Sequence, residues 1–506
     1  MRFIKITLFF ILTFLSHSLF SQKKPNIVII ISDDHSYQSI GAYGSPYGHT
    51  PNIDRIANEG AIFHRSYVVN SICGPSRAAL LTGKYSHKNG FKDNETSNFD
   101  HSQNTFVKHL TAGGYKTAWI GKIHLGHDLQ GFSDYDILVG QGQYFNSDFI
   151  SPEGKKQSFG YVTDVITDKA LEWIKKNQEE PFCIVIGHKA THRTWMADPQ
   201  DFGKNDHKEF PLPSTFYDDY RGRPAAALQE MSIDKDMQLP YDLKMYETLE
   251  DMRNQHWSFK RMTDEQFQAY VNYYRPIYED FKKQNLSGKA LAEWKFRRYM
   301  IDYLNTAESL DRNIGRVLDY LEQNKLDDNT LVIYLSDQGF YMGEHGWFDK
   351  RWMYEESFRT PMVAKMPGLI KPGSKIDGIV MNVDIAPTLL ELAGISTPKD
   401  MQGTSILPLL TGKKKSIQDE AYYHYYENGE HAVSPHFGVF DGRYKLIRFY
   451  KRVESWEFYD LKNDPSEMNN IYNDKKYKAQ INRMKKLLQR KAAELEDEEA
   501  LQILKQ

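Results

Sequence analysis

Short, continuously apolar runs recur along the chain, and each is followed by polar or charged residues. Four of these runs are rich in β-branched residues and cover residues 27–31, 117–120, 182–186 and 331–335. Runs of this length are typical of strands buried on both faces of a parallel sheet. Because ligands gather at the carboxyl ends of such strands, we predict that the residues after all four runs contribute to one site.

Apolar residues at helical spacing lie between these runs. The pattern predicts amphipathic helices over residues 164–176 and 299–322. Alternating strands and helices favour a layered α/β domain. Residues 196–295 are rich in Asp, Lys, Tyr and Met and have weak periodicity. We interpret them as an insertion of loops and short helices over the site, since so many aromatic residues disfavour a disordered linker.

The pattern changes after Gly394. Residues 419–460 hold short, alternating aromatic runs that indicate an antiparallel sheet, and residues 474–504 are rich in Lys, Glu, Leu and Ala, as in a terminal helix. We therefore predict a catalytic α/β domain over residues 22–399 and a smaller C-terminal domain over residues 400–506.

Residues 1–21 are typical of a secretory signal peptide. A short basic start precedes an apolar stretch, which ends near the small residue Ser21. The alternative is a membrane anchor, but the uninterrupted apolar core is shorter than the ~20 residues that span a bilayer. We predict cleavage near Ser21, export to the periplasm or the medium, and no stable membrane association.

Charge and cysteine content narrow the function classes. The net charge of the 506 residues is -3, and no basic field suggests a nucleic-acid partner. An anionic substrate must therefore be held by local cations. The two cysteines, Cys73 and Cys183, provide no disulfide framework for an exported protein of this size. A single Cys73–Cys183 bridge is the alternative to a chemical role for Cys73.

Residues 73–83 carry the most specific signal. Pro75 and Arg77 follow Cys73 at fixed distances, and Thr82-Gly83 ends the segment. This segment resembles the signature of the type I, formylglycine-dependent sulfatases. In that family a maturation enzyme oxidises the cysteine to formylglycine, and the resemblance implies the same partner here.

Other segments resemble the same family in the same order. They are residues 25–34, 50–60, 121–126, 336–339 and 384–388. The resemblance covers nearly the whole chain after the signal peptide. It implies the alkaline-phosphatase-like α/β sandwich, with a large, mixed but mostly parallel sheet. A smaller C-terminal domain with an antiparallel sheet and a terminal helix completes the expected fold.

The resemblance also implies a metal site. Its ligands would be Asp33, Asp34, Asp337, Gln338 and the modified Cys73. Oxygen ligands suit Ca²⁺ or Mg²⁺. The resemblance favours Ca²⁺, and Mg²⁺ stays open because carboxylates bind both. The family usually has Asn or His where Gln338 stands, and Gln offers an equivalent oxygen on a longer arm.

The chemistry follows from a hydrated aldehyde at residue 73, which has two hydroxyls on one carbon. One hydroxyl attacks sulfur, and loss of the proton of the other then expels sulfate. The family cations that stabilise developing charge match Arg77, Lys122 and Lys350. His124 matches the residue that takes the second hydroxyl proton, and His192 matches a general acid or sulfate contact.

Substrate contacts are assigned to further histidines. His188 competes with His192, His345 lies in a loop after the metal-binding Asp337, and the stretch 428–436 contributes His431 and His436. The pattern is similar to bacterial polysaccharide sulfatases, including glucosamine-6-sulfatases. We expect a sulfated carbohydrate, with algal ulvan or carrageenan and animal glycosaminoglycans undistinguished. The alternatives are a phosphate or phosphonate monoester hydrolase and a catalytically inactive, glycan-binding relative.

Overall fold

The computed structural model describes residues 24–506, so the predicted signal peptide lies outside the described residues. The strands are β1 (Asn26–Ser32), β2 (Ala61–Phe63), β3 (Ser66–Tyr67), β4 (Lys116–Gly121), β5 (Asp134–Leu138), β6 (Asp148–Ser151), β7 (Gly154–Gln157), β8 (Phe182–Gly187), β9 (Thr330–Ser336), β10 (Tyr341–Met342), β11 (Phe348–Asp349), β12 (Met362–Lys365), β13 (Ser374–Ile376), β14 (Val380–Met381), β15 (Ala421–Tyr425), β16 (His436–Phe440), β17 (Tyr444–Phe449) and β18 (Ser455–Asp460). The α-helices are α1 (Pro51–Glu59), α2 (Cys73–Thr82), α3 (Ser86–Asn89), α4 (Phe106–Ala112), α5 (Val162–Asn177), α6 (Pro224–Leu228), α7 (Leu249–Gln255), α8 (Asp264–Gln284), α9 (Gly288–Gln323), α10 (Glu355–Phe358), α11 (Ile385–Leu392), α12 (Leu407–Leu410), α13 (Lys478–Glu494) and α14 (Glu498–Ile503).

A mixed sheet of ten strands forms the centre of the larger domain. Its order is β13-β2-β12-β9-β1-β8-β4-β5-β6-β7. The five neighbours β9, β1, β8, β4 and β5 run parallel, whereas β12 and the β6–β7 hairpin are antiparallel to their neighbours. The four apolar runs of the sequence are therefore four adjacent parallel strands, and their carboxyl ends meet at one edge. This confirms the predicted mostly parallel sheet.

Helices cover both faces of this sheet. Val28 and Ile30 of β1 belong to the core beneath α1, α5 and α9, while Ile29 belongs to the opposite core with α2, α4 and α11. Successive strand residues point to opposite faces, so a continuous apolar run is needed when both faces are covered. Each fully buried aliphatic side chain stabilises the fold by ~1.5–3 kcal/mol.

The helices extend the sequence predictions. Helix α5 runs from Val162 to Asn177, close to the predicted span, whereas α9 begins at Gly288, well before residue 299. The region 196–295 contains α8, which has 21 residues and is longer than the short helices predicted. The buried stripe of α8 is mostly tyrosine, including Tyr270 and Tyr274. Aromatic residues fill that stripe in place of aliphatic ones, and this weakens the periodicity of the sequence.

The C-terminal domain is a four-stranded antiparallel sheet in the order β15-β16-β17-β18, with α13 packed on it. The terminal helix is divided into α13 and α14. The division falls before Asp497, whose side chain accepts a hydrogen bond from Ala500 N at 3.1 Å and starts the second helix. These features confirm the predicted fold class. No helix between residues 24 and 506 is both long and apolar enough to cross a bilayer.

Candidate active site

Polar residues from the ends of four parallel strands converge on one site. Asp34 N, after β1, donates to Asp337 Oδ1, after β9, at 3.2 Å. The Lys122 ammonium, after β4, forms a buried ion pair with Asp33. The loop after β8 is tied to the same place because Thr191 N donates to Asp33 O at 2.6 Å. The sheet thus brings together groups that are hundreds of residues apart.

Glycines permit the close approach of two of these strand ends. Gly121 and Gly187 are register partners at the ends of β4 and β8, and Lys122 N donates to Gly187 O at 2.7 Å. A Cβ atom on Gly187 would lie 2.1 Å from the carbonyl oxygen of Lys122, and Gly121 has a φ of 94°. Any larger residue at either position would displace Lys122 from Asp33.

The nucleophile candidate Cys73 is the first residue of α2. Pro75 is tolerated in the first turn because its missing N–H has no helical partner there. Arg77 lies one turn later and so shares the face of Cys73. A Cβ atom on Gly74 would lie 2.5 Å from Asn94 Oδ1, so glycine lets the loop carrying Asn94 pack against the helix start. The spacing of the motif is therefore set by one helical turn.

Three buried acids surround the candidate metal position. Carboxylate oxygens of Asp33, Asp34 and Asp337 all lie within 4.8 Å of one another. Gln338 is fully buried, its amide nitrogen contacts Asp34, and its Oε1 has no hydrogen-bond partner within residues 24–506. A rotation of this amide would place that oxygen beside the carboxylates. The donor set therefore fits a hard divalent cation.

The three acids repel one another when they are ionised, because they carry like charges. Burial raises the pKa of Asp337 to about 7, and the negative charge of Asp33 acts in the same direction. Burial also raises the pKa of Asp34 to about 6, against the opposing charge of Lys350. Burial would raise the pKa of Asp33 too, but Lys122 and other cations hold it well below its usual value. A cation among these groups would relieve their repulsion.

The three predicted cations all contact this cluster. Arg77 Nε donates to Asp337 Oδ2 at 3.0 Å, and both side chains are buried. Lys122 pairs with Asp33, and Lys350 Nζ lies 2.5 Å from Asp34 Oδ1 and 3.2 Å from Cys73 Sγ. Lys350 comes from the loop after β11, so its place depends on a different part of the chain.

Cys73 is buried and its thiol is not activated as a thiolate. Its Sγ donates to Asp33 Oδ1 at 3.3 Å, and burial, reinforced by the charge of Asp33, raises its pKa to about 12. A thiol with so high a pKa is a poor nucleophile at neutral pH. Both Cys73 and Cys183 are free, so the alternative of a bridge between them is wrong.

Of the two candidate proton-transfer histidines, His192 lies beside the same groups, and His124 follows Lys122 by two positions in the chain. A ring nitrogen of His192, Cys73 Sγ and an Asp33 oxygen lie within 4.8 Å of one another. The Nδ1 of His192 is 2.6 Å from the carbonyl oxygen of Arg193, which can only accept, so Nδ1 carries the proton and Nε2 remains available. His124 has a φ of 62°, its Nδ1 is buried without a partner, and burial lowers its pKa to about 3, with Lys122 adding to the effect.

A polar cavity of about 240 Å³ opens above Asp34, His192 and Lys350. Its other lining residues are Asn94, Glu95, Gln141, Arg193, Asp349, Arg351, Glu427, Glu430 and His431. The sequence interpretation assigned no role to most of these residues. Arg193 directly follows His192, and Asp349 and Arg351 flank Lys350. Their position next to a predicted site residue was therefore the only feature of the sequence that could have indicated that they line the cavity.

The walls of this cavity are held in place by ion pairs. Arg193 binds Asp242, a residue of the region 196–295, through Nε at 2.6 Å and Nη2 at 2.9 Å. His431 Nε2 lies 2.9 Å from Asp349 Oδ2, which brings the C-terminal domain to the cavity. Such two-point contacts fix donor and acceptor directions before a ligand binds.

The other three histidines assigned to substrate contact are buried and do not line this cavity. His345 Nδ1 lies 2.8 Å from Asp218 Oδ2. His436 accepts from Met353 N at 3.1 Å and contacts Ser434 O with its other ring nitrogen at 2.8 Å. His188 is fully buried, with neither ring nitrogen hydrogen-bonded among the described residues. All three rings lie inside the protein, and their assignment to substrate contact stays a prediction.

Two family models match this chain. The family described as Sulfatase matches residues 25–395. The family described as N-sulphoglucosamine sulphohydrolase, C-terminal, matches residues 343–494. The second match begins before the boundary predicted at residue 400 and includes Lys350.

Individual relatives agree with the family matches. An N-acetylglucosamine-6-O-sulfatase of Bacteroides thetaiotaomicron is 45% identical over 488 residues, which cover 94% of this chain and 87% of the relative. A solved structure in complex with its substrate, D-glucosamine-2-N,6-O-disulfate, is 44% identical with a TM-score of 0.92, covering 94% of this chain and 99% of the other. A phosphonate monoester hydrolase of Agrobacterium radiobacter, 18% identical with a TM-score of 0.66 over 93% of this chain and 96% of its own, shares the fold alone. This chain belongs to the sulfatase family and is a sulfuric ester hydrolase.

Proposed function

We propose that this sulfatase removes sulfate from a sulfated glycan, with 6-O-sulfated glucosamine as the unit it acts on. The observation that carries the proposal is the position of Cys73. It starts a helix beside three buried acids and two lysines, next to a small polar cavity. The relatives that act on 6-O-sulfated glucosamine at 44–45% identity support the choice of sugar.

The nucleophile in this proposal is formylglycine, made from Cys73 by a maturation enzyme. The unmodified thiol is buried and has a pKa of about 12, so it would be inert where it stands. Hydrated formylglycine supplies one hydroxyl to attack sulfur and a second whose deprotonation releases sulfate. Asp33 lies 3.3 Å from the sulfur atom of residue 73 and so would orient the group that replaces it.

Asp33, Asp34, Asp337 and Gln338 would hold Ca²⁺, with Mg²⁺ as the alternative. A bound divalent cation lowers the pKa of an attacking hydroxyl and polarises the sulfate. The buried amide oxygen of Gln338, which has no partner, and the three converging carboxylates support this ligand set. Ca²⁺ takes ~6–8 oxygen ligands, so these four side chains would not saturate it, and residue 73 and the sulfate could supply others.

The remaining residues stabilise charge and move protons. Lys350 and Lys122 would face the sulfate oxygens, since Lys350 Nζ lies 3.2 Å from Cys73 Sγ. Arg77 keeps Asp337 in place through two contacts of 3.0 Å. The Nε2 of His192 is free to interact with the leaving oxygen, and the unpartnered His124 would accept the second hydroxyl proton.

The cavity would hold one sugar unit. Its volume of about 240 Å³ lies just below the ~300–1,000 Å³ that is usual for drug-sized ligands, and its lining includes donors such as Arg193 and Arg351 and acceptors such as Asp349 and Glu427. Ring hydroxyls both donate and accept, so this mixture suits a sugar. Of the two histidines that the sequence analysis assigned to substrate contact from the C-terminal domain, His431 and His436, it is His431 that lines the cavity.

The first test is peptide mass spectrometry across residue 73 in protein produced together with a maturation enzyme. We expect the mass change from cysteine to formylglycine. Turnover of glucosamine 6-sulfate should then exceed that of glucosamine 6-phosphate, and Cys73→Ala should lose turnover while keeping the fold. Unconverted cysteine in active protein would refute the nucleophile, and a preference for the phosphate would refute the sulfate assignment.

Export remains a prediction from residues 1–21. N-terminal sequencing of protein recovered from the periplasm or medium should begin near Gln22. Recovery of the full chain from the cytoplasm alone would contradict it.

A further inference from the structure

A second, larger cleft lies outside the candidate active site. Its volume is about 680 Å³, and none of its lining residues also lines the active-site cavity. It is lined by the segment before α2, by α10 with the residue that follows, and by the C-terminal domain, which contributes Phe440, Gly442, Arg443, Leu461, Lys462 and Pro465. Clefts of ~300–1,000 Å³ are the usual size of small-ligand sites.

Of the basic residues that line this cleft, some are exposed to solvent and one is already paired with an acidic side chain. Arg65 and Lys462 are exposed on its walls. Arg443 is already paired with Asp460, at 2.9 Å through Nε and 2.7 Å through Nη2. His64 also lines the cleft and packs edge-on against Tyr43. Arg65 and Lys462 therefore remain to attract an anion.

Arg359 is the most informative of these cations. Arg359 is half-buried, and its guanidinium stacks 4.2 Å from the ring centre of Tyr37. Its Nε is buried and has no hydrogen-bond partner among residues 24–506, and a buried donor without an acceptor is costly. Its backbone is held by a bridge to Tyr67, so the side chain is presented from a fixed position. This orphaned donor lines the cleft and points to an anionic ligand.

The two acids of the cleft do not cancel this charge. Glu355 is engaged by Lys445 at 2.9 Å and by the hydroxyl of Tyr67 at 3.2 Å. Glu356 is buried, and its Oε2 has no partner. Burial and the nearby charge of Glu344 raise the pKa of Glu356 well above its usual value, which favours the neutral, hydrogen-bond-donating acid.

We propose that this cleft is a second, non-catalytic binding site for an anionic sugar unit, one that bears a sulfate ester or a carboxylate. Arg359, Arg65 and Lys462 would bind the anionic group, while Glu356 and Tyr37 would offer hydrogen bonds to ring hydroxyls. The identification of the ligand as a sugar rests on the proposed glycan substrate. The site would hold a distant part of a chain whose sulfated unit occupies the active site, or a separate chain.

The test compares a cleft variant with a variant of equal charge change elsewhere. The cleft variant carries Arg65→Gln and Lys462→Gln, both at exposed residues that line the cleft. The control variant carries Lys260→Gln and Lys283→Gln, both at exposed residues of the region 196–295 that do not line the cleft. Binding of a heparin-derived octasaccharide is measured by calorimetry in the Cys73→Ala background, which prevents turnover. We expect the cleft variant to raise Kd about three- to tenfold and the control to change it less than about twofold.

Three ligand arms identify the chemistry. An octasaccharide that has been O-desulfated, N-desulfated and re-N-acetylated keeps carboxylates as its only charged groups. A cleft-dependent loss of its binding assigns carboxylates, and dependence seen only for the sulfated chain assigns sulfate esters. If wild type and both variants bind a neutral chito-oligosaccharide as tightly as they bind the sulfated octasaccharide, the cleft does not select an anion and the proposal is overturned. Equal weakening by both double variants, or none by the cleft variant, would also overturn it.

A further variant and assay keep the result independent of the active site. Arg359→Gln should weaken octasaccharide binding in the same direction as the double variant. Turnover of glucosamine 6-sulfate by the matured double variant, with Cys73 intact, should remain within about twofold of wild type. Lost turnover in wild type would count against the proposed function, whereas lost cleft dependence would count only against the second site.

Discussion

Replacing Lys350 by methionine tests the charge balance of the site most directly. Lys350 is 4% exposed, and its ammonium lies 2.5 Å from Asp34 and 3.2 Å from Cys73 Sγ. Methionine keeps the approximate length of the side chain and removes the charge and its hydrogen bonds. Removing one preorganised donor beside developing charge costs ~2.7–4 kcal/mol, which corresponds to about a 10²–10³-fold loss in kcat.

The same substitution should affect stability in a metal-dependent way. Breaking a buried ion pair by removing one partner costs ~3–5 kcal/mol because the other charge is left uncompensated. A bound divalent cation would still compensate Asp34, so the loss of stability should be smaller with Ca²⁺ present than with a chelator. Chemical denaturation of the matured protein with and without Ca²⁺ measures this difference.

Lys365→Met provides the matched control. Lys365 is also buried, at 3% exposed, and its ammonium lies 2.6 Å from Glu59. It pairs with Val332 near the amino end of β9, whereas the site lies at the carboxyl end of that strand. We expect this variant to lose some stability and to keep kcat within about twofold. A loss of less than tenfold in kcat for Lys350→Met, or an equal loss for Lys365→Met, would refute the assigned role of Lys350.

Three further perturbations test other parts of the structure. Asp337→Ala should lower the amount of bound Ca²⁺, because it removes one of three converging carboxylates and leaves the Arg77 charge without its acidic partner. Mass spectrometry of the metal content measures this change, and an unchanged metal content would exclude Asp337 as a ligand. Unconverted protein should resist alkylation of Cys73 by iodoacetamide at pH 8, since its thiol pKa is about 12, and rapid alkylation of the native fold would contradict the buried environment. Asp497→Asn should destabilise the fold by ~1.5–3 kcal/mol at pH 7, because Asp497 is buried and its carboxylate lies 2.7 Å from His424 Nδ1 and accepts from the Tyr422 hydroxyl at 2.8 Å. Burial would raise the pKa of Asp497, but His424 holds it well below its usual value, so the stabilisation by Asp497 is present above pH ~4 and is lost as the pH falls below that. The difference in free energy of unfolding between wild type and Asp497→Asn should therefore shrink as the pH is lowered below ~4. A difference that stays constant with pH would refute this linkage.

The sequence predicted the main elements of the fold because they depend on local pattern. A continuous apolar run such as residues 27–31 can be buried on both faces only in a covered sheet, and the order of such runs indicates parallel neighbours. The motif from Cys73 to Gly83 is one helix, so the relation of Cys73 to Arg77 follows from helical spacing alone. The length of α8 was underestimated because its buried stripe is made of tyrosines rather than aliphatic residues.

The cavity walls were much less accessible to sequence reasoning. Asn94, Arg193 and Glu427 carry no motif of their own, and they meet only because a loop, a strand end and the C-terminal domain pack together. His345 and His436 stand in polar or aromatic segments that suggested a surface, yet Nδ1 of His345 contacts Asp218 and Nε2 of His436 accepts from Met353 N inside the protein. Whether a polar side chain faces a ligand or a buried partner depends on contacts between distant segments.

By itself, the sequence determined the buried strands and predicted that the polar residues at their carboxyl ends form one site. Only the tertiary structure decided which of those residues touch. Lys350 lies 316 positions from Asp34 and 277 from Cys73, and their contacts exist because β11 is folded against the end of β1. Local periodicity specifies strands and helices through short-range hydrogen bonding and side-chain direction. Contacts across hundreds of residues are set by how those elements bury their apolar faces together, which no local pattern encodes.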